Sequence, residues 1–365
     1  MLKLTDFDYI LPPERIAKYP LEPRDSSKLL VVSKTTGELV DSVFSNLTDF
    51  LLPGDVLVRN NTKVIPARVY GKKTTGGLVE LLLTKKLSQT AETEIWDCLT
   101  KPGLKMGQEV ALTATLSAQC VGTSSDGYTR HMQFSKAGPD LIAELHTIGI
   151  TPLPPYISDA HTDSPNAFED RYQTTYAKHD GSAAAPTAGL HFTKELDEKL
   201  QKMGVIIVEL TLHVGLGTFL PVKISDITQH HMHSEWFELS ELAAKTITET
   251  KANGNRIVAV GTTSARVLES CTKRADDGTA TVTAKTGETD IYIYPPYQCT
   301  CVDVLITNFH LPQSTLLMLV SAFCSQPNTE HLFSTFGESI IGLAYTHAIQ
   351  NEYRFYSFGD GMLIL

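Results

Sequence analysis

Arg256-Ile257-Val258-Ala259-Val260-Gly261-Thr262-Thr263-Ser264-Ala265-Arg266 runs from an apolar stretch through a glycine and a polar turn into a helical pattern. A continuous apolar run stopped by glycine predicts a strand buried on both faces, Arg256 to Val260, and then a helix, Ser264 to Cys271. The texture recurs on either side. Val205 to Leu212 and Val302 to Thr307 read as strands, and Thr193 to Met203, Glu241 to Asn253 and Thr315 to Phe323 as helices. Nearer the N-terminus, Lys28 to Ser33 and Gly54 to Asn60 read as further strands. Strand and helix in alternation predict an α/β fold with a largely parallel sheet.

Between Val64 and Ser135 the texture differs. Val64 to Tyr70, Leu78 to Thr84, Glu94 to Thr100, Glu109 to Ala118 and Thr129 to Phe134 are short β-rich runs, punctuated by Gly71, Gly76, Gly77, Gly103 and Gly122. Regularly spaced strands without helical patterns between them predict a small barrel or sandwich. A short helix, Asp140 to Thr147, closes it, and Pro152, Pro154 and Pro155 mark a boundary near residue 150. His161 to Asn166 and Asp276 to Glu288 read as mobile loops.

The whole chain has 365 residues, 42% hydrophobic and 20% charged, which fits a folded protein of about two domains and excludes a disordered or fibrous one. Its net charge of −10 excludes a uniformly basic nucleic-acid coat, so a polyanionic partner must meet a local basic patch. No run of about 18 apolar residues occurs and the N-terminus lacks a signal-peptide pattern, so a cytoplasmic protein without a membrane segment is expected. Six cysteines without a Cys-x-x-Cys pair make a disulfide scaffold unexpected, and Cys299 and Cys301 read as alternating strand positions rather than metal ligands.

Two predicted strands end in polar tips. After Val260 come Thr262, Thr263 and Ser264; after Ile306 come Thr307, Asn308, His310, Ser314 and Thr315. At the carboxyl ends of parallel strands such groups either cap the next helix or wall a ligand crevice. Gly181 to Thr193 is rich in small residues, implying close backbone approach to a ligand or a neighbouring strand. Its His191 is either a core histidine or an acid/base group near a helix N-terminus. The glycines of His213-Val214-Gly215-Leu216-Gly217-Thr218 lack dinucleotide-fingerprint spacing. His230, His231, His233 and Glu235 fall within six residues; on a strand His231, His233 and Glu235 share a face, open to a metal, acid/base or structural role. Lys63, Arg68, Lys72, Lys73, Lys85, Lys86, Lys101 and Lys105 form either a solvated face or a phosphate-tracking surface.

Several strings together resemble the S-adenosylmethionine:tRNA ribosyltransferase-isomerases, the queuosine biosynthesis family. They include Asp6 to Pro12, Asn61 to Arg68, Ala184 to Thr193, His213 to Phe219, Met232 to Glu235, Val260 to Thr263 and Thr307 to Pro312, and run from residue 6 to about 360. The departures are small: Pro296 stands where the family has glycine, Lys28 where Arg is usual and Asn61 where Asp is usual. The resemblance implies an α/β main domain, 1–62 and 151–365, interrupted by an inserted β-barrel domain, 63–150. It implies transfer and isomerisation of the ribosyl part of S-adenosylmethionine onto 7-aminomethyl-7-deazaguanine at the wobble position of tRNA, with release of adenine and methionine. S-adenosylmethionine is then co-substrate and ribosyl donor, and neither a metal nor a nicotinamide cofactor is expected. A monomer is expected.

That chemistry needs a base at the ribose carbon beside the sulfonium, a proton donor for adenine and a dry pocket. His191, His233 and Glu235 are assigned the proton transfers. Thr187, Gly189, His213, Gly215, Gly217, Thr218, Thr262, Thr263, Arg266, Asn308, His310, Ser314 and Thr315 are assigned to substrate, and Lys63, Arg68, Lys72 and Lys73 to tRNA. The alternatives are an S-adenosylmethionine-dependent RNA methyltransferase, which releases adenosylhomocysteine instead of adenine, and a non-catalytic tRNA-binding protein, which leaves S-adenosylmethionine intact.

Overall fold

Five strands with almost every residue buried lie side by side at the centre of one large sheet, and strands with alternating burial close into a separate barrel. The computed structural model describes residues 2–125, 127–158, 169–215, 222–276 and 278–365. In chain order the strands begin with β1 (Lys28–Val32), β2 (Leu39–Val43), β3 (Val56–Asn60) and β4 (Thr62–Val64). The barrel follows: β5 (Arg68–Lys73), β6 (Leu78–Gln89), β7 (Glu94–Lys101), β8 (Glu109–Ala111), β9 (Ser117–Thr123) and β10 (Arg130–Phe134). Then come β11 (His179–Ser182), β12 (Ile206–Leu212), β13 (Glu235–Leu239), β14 (Ile257–Val260), β15 (Thr272–Arg274) and β16 (Ala280–Val282). The last three are β17 (Lys285–Thr289), β18 (Val304–Asn308) and β19 (Gly361–Ile364). The helices are α1 (Gly138–Ile148), α2 (Pro155–Ser158), α3 (Lys194–Lys202), α4 (Glu241–Ala252), α5 (Gly261–Cys271), α6 (Thr315–Phe323) and α7 (Ile340–Gln350).

The sheet order is β17-β13-β12-β3-β14-β18-β19-β1-β2. Its residues alternate between two cores. Ile257 and Ala259 of β14 face one core with α4 to α7, whereas Val258 and Val260 face the other with Leu196 and Leu200 of α3. The expected largely parallel sheet is corrected to a mixed one. Four neighbouring pairs are parallel (β12–β3, β3–β14, β14–β18, β19–β1) and four antiparallel. The cause at β19 is connection: two helices, α6 and α7, separate it from β18, so it returns antiparallel to its neighbour. Burial on both faces makes a strand an apolar run whichever way it points.

The barrel expectation holds: six strands close antiparallel in the order β10-β7-β6-β5-β8-β9. Val69, Leu81, Trp96, Val110, Met132 and Phe134 fill it, and α1 plugs it with Leu141 and Leu145. Two single runs are corrected. Val64 to Tyr70 divides into β4 and β5 around Pro66, and Glu109 to Ala118 into β8 and β9. The expected Asp276–Glu288 loop is corrected as well: β16 pairs with β15, and β17 is the edge strand beside β13. Edge strands need little apolar surface, which is why this Thr- and Lys-rich segment lacks a strand's pattern. The His161–Asn166 loop lies outside the described residues. Among the described residues no helix is long and apolar enough to cross a membrane.

Candidate active site

The carboxyl ends of β14 and β18 open onto a cavity of about 410 Å³, a size suited to small-molecule ligands. α5 starts directly at Gly261, whose φ of +84° only glycine adopts without strain, so the chain turns from strand into helix within one residue. The expected Thr263 or Ser264 cap is therefore corrected. Val260 holds the cap position, Ser264 Oγ donates back to Val260 O at 2.8 Å, and Thr263 Oγ1 sits at the cavity wall without a partner among the described residues. Thr187, Thr262, Thr263, Asn308 and His310, all assigned to substrate from the sequence, line this one cavity.

Asn308 is 2% exposed. Its Nδ2 donates to His191 Nε2 and to Tyr356 O, both at 3.2 Å, which orients the amide and leaves Oδ1 unpartnered. His191 does not line the main cavity but stands behind Asn308. Because Nε2 accepts from Asn308, Nδ1 carries the proton and donates to Ser27 Oγ at 2.8 Å, while Phe44 stacks on the ring at 4.7 Å. Burial, aided by Arg354 and Arg24, lowers its pKa to about 3. His310 does line the cavity. Its Nε2 lies 2.8 Å from Thr307 Oγ1, and burial lowers its pKa to about 3.

His213, Gly215 and Glu235 sit apart from these, on a second cavity of about 390 Å³ between β6 and β7 of the barrel and the large sheet. Trp96 and Trp236 wall it, Lys85, Lys86 and Glu288 border it, and His213 stacks on Trp236 at 4.9 Å. His213 Nδ1 lies 2.8 Å from Thr62 Oγ1, and burial, with Lys86 nearby, lowers its pKa to about 4. Glu235 is ion-paired with Arg266, and its other oxygen accepts from Gly215 N at 2.9 Å. Arg266 is thus engaged by a carboxylate within the protein. Val214 lines the main cavity, whereas His213 and Gly215 line the second, so this one segment is a wall of both.

The other sequence-predicted residues are not gathered here. β13 begins only at Glu235, so the expected shared face of His231, His233 and Glu235 is corrected; His231 and His233 are exposed. Ser314 caps α6, accepting from Leu317 N, and neither it nor Thr315 lines a described cavity. Gly217 and Thr218 lie outside the described residues. Lys63 pairs with Asp180 at 3.2 Å and Arg68 with Glu80 at 3.4 Å, while Lys72 is exposed and Lys73 half-buried. Among the described residues no three His, Cys, Asp or Glu side chains group as metal ligands. The sequence reading missed Tyr156, Tyr172, Tyr356 and Ser357 of the main cavity; Tyr356 has a φ of +72°, which no local pattern announces.

Gly189, assigned to substrate from the sequence, does not line the cavity; a Cβ there would overlap the Tyr176 hydroxyl and approach Thr174 Cγ2 at 2.8 Å. Gly189→Ala is expected to lower the unfolding free energy by about 1–3 kcal/mol. Adding Tyr176→Phe, which removes a buried hydroxyl without a partner, is expected to restore part of that loss in denaturant titrations. Equal stability of Gly189→Ala and the unaltered chain would refute this packing.

Buried His191 and His310 and half-buried His213 also set an acid limit. Unfolded, each takes a proton below about pH 6.5; folded, only near 3 (His191, His310) or 4 (His213). Between those limits the unfolded state binds more protons, so stability falls as pH falls. Each histidine is expected to contribute up to about 1.4 kcal/mol per pH unit. Chemical unfolding midpoints measured from pH 7 to about 5 check this, and a slope unchanged in His310→Gln would contradict it.

The family model described as queuosine biosynthesis protein matches residues 4–364. The S-adenosylmethionine:tRNA ribosyltransferase-isomerase of Thermotoga maritima is 46% identical over 366 residues, and that of Thermotoga petrophila 47%, with all of both chains covered in each case. A crystal structure of S-adenosylmethionine tRNA ribosyltransferase from Thermotoga maritima aligns with 99% of this chain and 100% of its own, at 38% identity and a TM-score of 0.53. The likeness spans both the strand-end cavity and the barrel, and the chain belongs to the queuosine biosynthesis family that these ribosyltransferase-isomerases represent.

Proposed function

We propose that the protein transfers and isomerises the ribosyl moiety of S-adenosylmethionine onto 7-aminomethyl-7-deazaguanine at the tRNA wobble position. Adenine and methionine leave, and the tRNA carries epoxyqueuosine. One observation supports this most: an apolar-walled cavity at two strand ends carries two unpartnered polar atoms, Asn308 Oδ1 and Thr263 Oγ1. A buried acceptor without a donor is costly, and a nucleoside amine or hydroxyl would relieve that cost. Asn308 therefore receives the nucleoside, and His191 acts as a positioning residue that holds the amide in its orientation.

The sulfonium is a cation that needs a dry and electron-rich wall. Tyr156, Tyr172 and Tyr356 line this cavity with aromatic rings, and burial raises the pKa of each, so they stay neutral phenols. Among the described residues only His310 brings an imidazole to this cavity, in its neutral form, and it is the candidate proton acceptor at the acidified ribose carbon. Glu235 serves as a positioning residue for the wall at Gly215. Mass spectrometry of tRNA bearing the aminomethyl base, after incubation with S-adenosylmethionine, tests the reading. A mass gain matching the epoxycyclopentanediol together with free adenine is expected; a one-carbon gain with adenosylhomocysteine, or no gain, refutes it.

A further inference from the structure

Away from the barrel lysines, three guanidiniums converge. Arg24, Arg171 and Arg354 line a narrow cleft with Ser27, His191 and Ser357, and among the described residues no carboxylate lines it. Arg354 continues into an open groove shared with Arg15 and Lys18, where Glu14 is the one acid among the described residues. In a chain of net charge −10, such a gathering of cations is conspicuous.

Arg24 is held by neutral groups alone, while Arg171 and Arg354 are each partly met by a carboxylate. Arg24 donates to three backbone carbonyls, Gln173 O at 2.7 Å, Asp170 O at 3.0 Å and Leu190 O at 3.4 Å, and none of these is an anion. Arg354 donates to Tyr19 O at 3.1 Å, and its Nε lies 3.6 Å from Asp360, whose oxygens also accept from the N–H groups of Lys28 and Arg354. Arg171 pairs with Glu22, an exposed carboxylate, and donates to Leu21 O. Burial lowers the pKa of Arg24, with Arg171 adding to it, and burial lowers that of His191, with Arg354 and Arg24 adding to it.

Ser357 lines both this cleft and the main cavity, so an anion here adjoins whatever enters there. The space is about 20 Å³, room for about one water-sized group such as a single phosphate oxygen, with the rest of the phosphodiester at the cleft mouth. Arginine forks match a phosphodiester in shape and charge. We propose that the Arg24–Arg171–Arg354 cleft seats a phosphodiester of the tRNA strand beside the nucleotide whose base enters the main cavity. This rests on the reading that the protein acts on tRNA. The groove with Arg15 and Lys18 continues the track along the strand, which favours a polymer over the carboxylate of a bound methionine.

The test is tRNA binding by the full chain across a salt series. Arg354→Gln and Arg171→Gln are each expected to weaken binding about 5–10-fold and to reduce the log–log salt slope by about 1. Affinity for S-adenosylmethionine, measured by calorimetry, stays the same and reports an intact fold. Arg354→Lys restores the slope. An unchanged slope in both glutamine variants overturns the proposal, as does a slope lost only in Lys72→Gln or Lys73→Gln. Loss of S-adenosylmethionine affinity instead assigns the cleft to the methionine carboxylate and overturns it too. If the unaltered chain neither binds nor modifies tRNA, the functional reading fails, and the cleft proposal fails with it.

Discussion

Glu235→Ala is expected to lower the unfolding free energy by about 3–5 kcal/mol, the largest stability effect of any single change in the site. Glu235 and Arg266 are each 5% exposed, and removing the carboxylate strands a guanidinium that has only Ile291 O and Thr289 O left to bond. Replacing one member of a buried pair costs far more than the pair itself contributes, because the survivor is a buried, uncompensated charge. The loss also frees Gly215 N and with it the wall between the two cavities. Glu235→Ala with Arg266→Met should recover much of the stability, since neither charge then remains. Denaturant titration reads both, and a single-variant loss under about 1 kcal/mol would rule out the pairing as a structural anchor.

Asn308→Ala is expected to reduce kcat/KM for ribosyl transfer by about a hundred-fold, near 2.7 kcal/mol of transition-state stabilisation. The substitution deletes the unpartnered acceptor at the cavity wall and leaves His191 Nε2 without its donor. His191→Ala should give a smaller loss with S-adenosylmethionine affinity partly kept, because it loosens the amide without removing it. The tRNA mass-spectrometric assay measures both. Retention of activity within about threefold by Asn308→Ala, in a chain that folds normally, would take Asn308 out of the site.

Much of the fold was readable because local pattern carries it. The buried strand before Gly261, the change to short strands after Val64 and the capping serine of α6 each depend on neighbours a few residues away. The site was readable in part. Thr262, Thr263, Asn308 and His310 do converge, since polar tips at the adjacent ends of β14 and β18 share a crevice, and Thr187 joins them from the short turn Thr187–His191. The shared strand face of His231, His233 and Glu235 was misjudged because the histidine run precedes β13 rather than lying in it, and hydrophobic spacing there is too weak to set a boundary.

What the amino-acid order by itself determined is the strands β1, β3, β12, β14 and β18, the helices α1 and α3 to α6, the split between barrel and layered sheet, and the kinship of the chain, because periodicity, turn chemistry and shared strings are all local in sequence. Only the folded chain decided the direction of β19, the partnership of Glu235 with Arg266 across 31 positions and that of His191 with Asn308 across 117. Those pairings depend on distance and dielectric in space. No spacing along a chain reports them, and they determine whether a charged or polar side chain meets a ligand or is already satisfied within the protein.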